Sequence, residues 1–222
     1  MPILTLQWHC TEKAAMFVVL KPIDMTSRIY LFAFLVLYFL IVFVLRSWLL
    51  WKRTGVNPFT FDDTDDAHGY NGRLFKFIIA LEVLIVAIYA FGGEVYEYLL
   101  PFWYLEYWEL QVAGWVFLVL SLVWTFTAQL QMADAWRIGI DTKNDTELVA
   151  TGLFSMSRNP IFLGIILADI GLFLVAPNAF TLLIGVLSIV VIQTQVRLEE
   201  AYLTTVHGED YIEYRKRVRR WL

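Results

Sequence analysis

The stretch Ile161–Val196, IFLGIILADIGLFLVAPNAFTLLIGVLSIVVIQTQV, decides the fold class. Asp169 is its only charged residue. A bilayer core of about 30 Å takes roughly 20 apolar helical residues, so this run is too long for one span. Pro177-Asn178 lies near its middle, and a proline there removes a helical donor and clashes with the preceding turn. The stretch therefore predicts a hairpin of two transmembrane helices.

Upstream, Ile29 to Leu45 is uninterrupted by charge, with Arg46, Trp48 and Trp51 placed to close that span at an interface. Leu74 to Phe91 forms a second span, with Lys76 at its start and Glu82 inside, and Leu110 to Leu130 a third without any charge. Ala14 to Leu20 is too short to cross, and Tyr96 to Trp108 carries Glu97 and Glu106, which suits an interfacial segment. The predicted fold is an all-α integral membrane protein with about five transmembrane helices and a C-terminal cytoplasmic amphipathic helical segment.

Composition agrees, with 59% hydrophobic residues and 17% aromatic ones across 222 positions. A net charge of −4 supplies no basic excess for phosphates, so no nucleic acid is expected as partner. Cys10 is the single cysteine, which excludes an intrachain disulfide and a cysteine-rich metal site; no metal is expected. The Asp62-Asp63-Thr64-Asp65-Asp66 cluster resembles a calcium loop only loosely, because Ala67 stands where the turn glycine belongs, and it reads as a solvated loop. Fourteen of the 17 basic residues fall on one side of a five-span arrangement, against Lys13, Lys21 and Arg28 on the other. The basic bias predicts an N-terminus outside and a C-terminus in the cytoplasm. The loop from 93 to 109, with Glu94, Glu97, Glu106 and Glu109 and no Lys or Arg, agrees with that orientation. The first 28 residues lack an apolar core long enough for a cleavable signal peptide, and the sequon Asn144-Asp145-Thr146 falls on the cytoplasmic side.

Polar chemistry gathers in two C-terminal segments. The first, AWRIGIDTKNDTELVATGLFSMSRNP from Ala135 to Pro160, leads directly into the hairpin. Gly152 permits positive φ and close approach of a ligand, and Pro160 suits the first helical turn. Arg158 beside that helix N-terminus makes a ready anion site. The second, RLEEAYLTTVHGEDYIEYRKRVRRWL from Arg197 to Leu222, reads as an amphipathic helix ending near Gly208 and another starting around Glu209. Tyr211, Tyr214 and Val218 share one face of the latter at i, i+3 and i+7.

Together these segments resemble the isoprenylcysteine carboxyl methyltransferase family in its bacterial and archaeal form, and the related phospholipid methyltransferases. The resemblance rests on Gly152-Leu153-Phe154, Arg158-Asn159-Pro160-Ile161-Phe162-Leu163-Gly164, Arg197-Leu198-Glu199-Glu200, Leu203, Gly208, Tyr211, Tyr214 and Arg217-Val218-Arg219-Arg220-Trp221-Leu222, in that order around a hydrophobic hairpin. It covers roughly residues 130 to 222. Asn159 departs from the family, where many members have His, and His207 stands where Phe usually precedes the glycine.

The resemblance implies residues 1–130 as an N-terminal region of three spans and 131–222 as the catalytic, cofactor-binding region. It implies S-adenosylmethionine as methyl donor and a lipophilic or lipid-modified acceptor entering from the bilayer among membrane lipids. The membrane would be a prokaryotic cytoplasmic membrane, or the endoplasmic reticulum in a eukaryote. Cofactor-binding candidates are Gly152, Leu153, Phe154, Arg158, Asn159, Pro160, Phe162, Gly164, Glu199, Glu200, Tyr211 and Tyr214; catalytic candidates are Arg158, Arg197 and Glu200. The chemistry of the cofactor matches this set: Arg158 or Arg197 for its carboxylate, Glu199 or Glu200 for its ammonium or ribose, Tyr211 or Tyr214 for its adenine or sulfonium. A carboxylate acceptor attacks without a base, whereas an amine or thiol would call on Glu200 or His207. Plainer structural roles stand beside these. Arg158 would snorkel to an interface, Glu200 would pair with Arg197 on a solvated face, the tyrosines would form an aromatic belt, and Glu82 and Asp169 would bond neighbouring helices. Two other functional readings are an NADPH-dependent membrane reductase related to the sterol reductases and a non-catalytic membrane protein on the same scaffold.

Overall fold

The computed structural model describes residues 25–58, 65–139 and 147–222. Cys10, Lys13, Lys21, the Ala14 to Leu20 stretch, Asp62-Asp63-Thr64, Lys143 and the Asn144-Asp145-Thr146 sequon lie outside them.

Among the described residues the architecture is helical throughout. Helix α1 (Met25–Phe39) passes through a π-helical turn (Leu40–Leu45) into α2 (Arg46–Thr54), and α3 (Ala67–Phe91), α4 (Trp108–Met132), α5 (Pro160–Val175) and α6 (Ala179–Arg217) follow. Four of these bodies are long and apolar enough to cross a membrane: Ser27–Thr54, Ala67–Phe91, Trp108–Ala135 and Ala179–Arg217. The fifth, α5, is an apolar helix of 16 residues, roughly 24 Å at 1.5 Å per residue. The expected hairpin is therefore present, with unequal arms.

Its turn shows why the chain reverses there. Asn178 caps α6 by accepting from the backbone N–H of Phe180 (3.0 Å) and Thr181 (2.9 Å), while Thr181 Oγ1 accepts from the Asn178 N–H at 3.2 Å. The turn is also pinned from outside. Phe102 N–H donates to the Pro177 carbonyl at 2.8 Å, and Pro101 pairs with Asn178 in an isolated β-bridge. At the other end of the sequence, Asp66 of the acidic cluster is the N-cap of α3, accepting from Gly69 N–H at 2.7 Å. This gives Asp66 a capping role.

Helix α4 lies closely along α5 because small residues face each other. A Cβ on Gly171 would sit 2.8 Å from the Gly114 carbonyl oxygen, and one on Gly164 would overlap the Thr125 hydroxyl. The approach lets Ser121 Oγ donate to the Gly164 carbonyl (2.7 Å) and Trp124 Nε1 to that of Pro160 (2.9 Å). Helix α3 packs on α1 and α6, and Asn71 Nδ2 ties it to α6 through the Val191 carbonyl and Gln195 Oε1 at 3.2 and 2.9 Å.

Arg46 is buried: it donates to the carbonyls of Gln129 (3.0 Å) and Ala133, where α4 ends, and lies over the Trp136 ring. The helix runs on to Thr54 and stops at Gly55, whose φ of +73° ends it in the left-handed region.

Candidate functional site

Pro160 starts α5, so the residues before it are placed at that helix's N-terminus, and α6 brings Glu200 to the same level. Arg158 donates to Glu200 Oε1 from Nε at 3.2 Å and from Nη2 at 3.0 Å, while its Nη1 donates to the Val218 carbonyl at 2.7 Å. Asn159 Nδ2 adds a contact to the same Oε1 at 3.3 Å. Arg220 closes the set, with Nε on Oε1 at 3.1 Å and Nη2 on Oε2 at 2.8 Å. The Arg158 and Glu200 side chains are only 10% and 6% exposed, so this is a buried ionic cluster and neither a snorkelling arginine nor a solvated surface pair. Hydrogen bonding to Glu200 raises the Arg220 guanidinium above its ordinary value, against a smaller opposing effect of burial.

The last residues are folded back to reach this cluster. Gly208, with φ of +51°, breaks the helical path of α6, as the sequence predicts, and the chain turns over the start of α5. Arg158 N–H donates to the Arg219 carbonyl at 2.9 Å, and Ser157 Oγ and Asn159 Nδ2 donate to that of Arg220. Tyr211 and Tyr214 are almost fully buried with rings 5.9 Å apart, and the Tyr214 hydroxyl donates to the Phe154 carbonyl at 2.6 Å. Tyr214 thus holds the C-terminal stretch onto the Gly152–Ser155 turn, and the two buried tyrosines do not form an aromatic belt.

Glu199 and Phe162 belong to a different region. They line a cavity together with Phe43, Phe75, Trp136, Gln129 and Gln195. Gln195 Nε2 donates to Glu199 Oε1 at 2.9 Å, and the buried Gln129 Oε1 has no hydrogen-bond partner among the described residues. A 100° step per residue puts Glu199 and Glu200 on different faces of α6, and that step separates cavity from ionic cluster.

The remaining candidates divide. Gly164 is a packing glycine against Thr125, and Pro160 presents its carbonyl to Trp124. Gly152 has φ of +62° and approaches the Gln131 side chain, which accepts from Leu153 N–H at 2.7 Å. Arg197 stands apart from the cluster, donating to Gln193 on its own helix at 2.7 and 2.8 Å. Arg220 belongs to the C-terminal motif, which by itself assigns it no role, and Gln129, Gln195 and Trp136 come from spans or loops whose residue types alone carry no such signal.

Comparison with known proteins agrees with this region. Residues 109–210 match the family model for phospholipid methyltransferase, whereas no curated protein and no solved structure matches the chain. The molecule is thus an integral membrane protein with a methyltransferase-family region running from α4 to just beyond the kink of α6. Over that region the chain is similar to the phospholipid methyltransferase family, which includes isoprenylcysteine carboxyl methyltransferase-like members. The match starts earlier than the sequence resemblance near residue 130, taking in α4, the helix that Gly164 and Gly171 bind to α5.

Proposed function

We propose that the chain is an S-adenosylmethionine-dependent methyltransferase acting on a lipophilic, membrane-embedded acceptor, a lipid or an isoprenylcysteine carboxylate-like molecule. One observation carries the reading. Arg158, Asn159 and Glu200, 41 and 42 residues apart in sequence, meet in one buried cluster beside an aromatic cavity, inside the family-matched region.

The residues suit the cofactor's groups. Two guanidiniums and one carboxylate leave a surplus positive charge for a carboxylate, and Glu200 offers the opposite charge to an ammonium. Arg158 is the residue that would hold the carboxylate, through the Nη1 that now donates to Val218. The unpartnered Gln129 Oε1 and the Glu199 carboxyl give the cavity acceptors for polar or cationic groups, and Phe43, Phe75, Phe162 and Trp136 keep water out. When bound, the cofactor supplies an electrophilic methyl group. The protein's share is to orient the two reactants and desolvate them, because charge diminishes in the transfer. An acceptor that loses a proton would give it to Glu199, since Glu200 is occupied by arginines.

Binding to the detergent-extracted protein tests the reading. S-adenosylmethionine or its demethylated product should bind with a Kd between about 1 μM and 1 mM, unaffected by NADPH. NADPH binding without S-adenosylmethionine binding would instead favour the reductase. The orientation, N-terminus out and C-terminus cytoplasmic, rests on the basic bias; a reporter after Leu222 and one near Gly93 should face opposite sides, and finding both on one side refutes it.

A further inference from the structure

Asn71 lies on α3, five residues beyond the Asp66 cap and outside residues 109–210, which match the family model. It is 3% exposed and is not part of the wall of the aromatic cavity. Gln195, 2% exposed on α6, lines that cavity together with Glu199. The three side chains form a line of hydrogen bonds, Asn71 to Gln195 at 2.9 Å and Gln195 to Glu199 at 2.9 Å.

The direction of each bond is imposed by its neighbour. The Val191 carbonyl, 3.2 Å from the Asn71 amide, can only accept, so the end of Asn71 turned to α6 is Nδ2. An amide nitrogen only donates, and the Gln195 atom that meets it is therefore Oε1. Gln195 then turns Nε2 to Glu199, and Glu199 Oε1 must accept. A carboxyl proton on that oxygen would point at another N–H, which leaves Oε2 as the place where Glu199 holds a proton. The two ends of an amide are alike in shape, so only its partners decide which way it lies. Without Asn71, Gln195 is free to turn over and offer Oε1 to Glu199 instead.

We propose that Asn71 is a positioning residue: through Gln195 it holds Glu199 with Oε1 as hydrogen-bond acceptor and Oε2 as the oxygen that takes the proton lost by the methyl acceptor. What Glu199 does rests on the proposed methyltransferase reading; how it is held rests on the three hydrogen bonds alone. For an amine acceptor the nitrogen lone pair forms the new C–N bond and the C–S pair stays on sulfur. The N–H proton passes to Oε2, and the Glu199 carboxylate becomes a neutral carboxyl.

Infrared difference spectroscopy on the full-length chain in detergent, stepped to acid pH with neither cofactor nor acceptor added, tests how Glu199 is held. The carboxyl C=O band that Glu199→Gln abolishes reports Glu199, and an N–H donor on Oε1 lowers its frequency. Asn71→Leu and Gln195→Leu should each move that band to higher frequency. In the Gln195→Leu background, Asn71→Leu should move it no further, because its effect passes through Gln195. Asn71→Ala repeats the measurement with a smaller side chain, and a cooperative thermal transition reports the fold of each variant. A Glu199 band unmoved by both Asn71 variants, or moved again in the double variant, overturns the proposal. S-adenosylmethionine failing to bind the parent would instead refute the methyltransferase reading, and the positioning of Glu199 would still stand or fall by its band.

Discussion

Glu199 and Glu200 are consecutive residues of one helix that face regions of opposite character. Glu200 sits in a closed network, with Arg158, Arg220 and Asn159 all donating to its carboxylate. Glu199 accepts from the Gln195 amide and lines an aromatic cavity. One residue is committed to holding charge and chain together, while the other retains capacity to act on something that comes in. Satisfied buried ion pairs hold geometry, and under-coordinated groups beside a cavity are the ones free to bind or exchange protons.

The strongest way to break the comparison is Glu200→Gln. It leaves two guanidiniums without their carboxylate, so unfolding should become easier by about 3 kcal/mol, the lower end for an uncoupled buried charge because Arg220 is partly exposed. S-adenosylmethionine affinity should fall by roughly 10 to 150 times, and residues after Val218 should become more sensitive to limited proteolysis. Thermal unfolding, calorimetry and digestion read the three effects. An unaltered affinity would leave the cluster as a purely structural clamp.

Glu199→Gln should behave in the reverse manner. With an amine acceptor, turnover should drop about a hundredfold while cofactor affinity and thermal stability stay near the parent's, because an amide can still accept from Gln195. A large stability loss with unchanged turnover would exchange the two residues' roles.

Gly164→Ala addresses the scaffold that carries both faces. The added methyl would meet Thr125 on α4, so α4 and α5 must separate slightly, at a cost of about 2 kcal/mol in thermal unfolding. Both cofactor binding and turnover should weaken together, since α5 supplies Arg158's anchor and Phe162's cavity wall alike. A change in one alone would show that the two regions are positioned independently.

The smallest effect belongs to Arg53→Ala. Arg53 pairs with Asp134 at 3.2 Å, but the two side chains are 69% and 50% exposed. Unfolding should shift by less than about 1 kcal/mol and cofactor affinity not at all. A loss comparable to that of Glu200→Gln would mean that charge anywhere on this side, and not the buried cluster, governs binding.

The sequence by itself determined the helical class, the hairpin and its turn, and the break at Gly208. Each depends on local properties: unbroken apolar runs, a proline followed by a capping asparagine, and a residue without Cβ where φ is positive. It also brought Arg158 to the Glu199-Glu200 pair, because a hairpin must return its open ends to one level, while Asn159 came from the family resemblance. Only the tertiary structure decided that Arg197 stands outside the cluster and Arg220 inside it, since that choice depends on the direction in which the chain folds back after Gly208. It likewise decided that Arg46 is buried on Trp136 and that Tyr214 is tied to Phe154. The separation of Glu199 from Glu200 and the presence of Glu82 and Asp169 in the lining of one cavity are of the same kind: they arise from the rotation and packing of helices, which long-range contacts set and no single apolar stretch encodes.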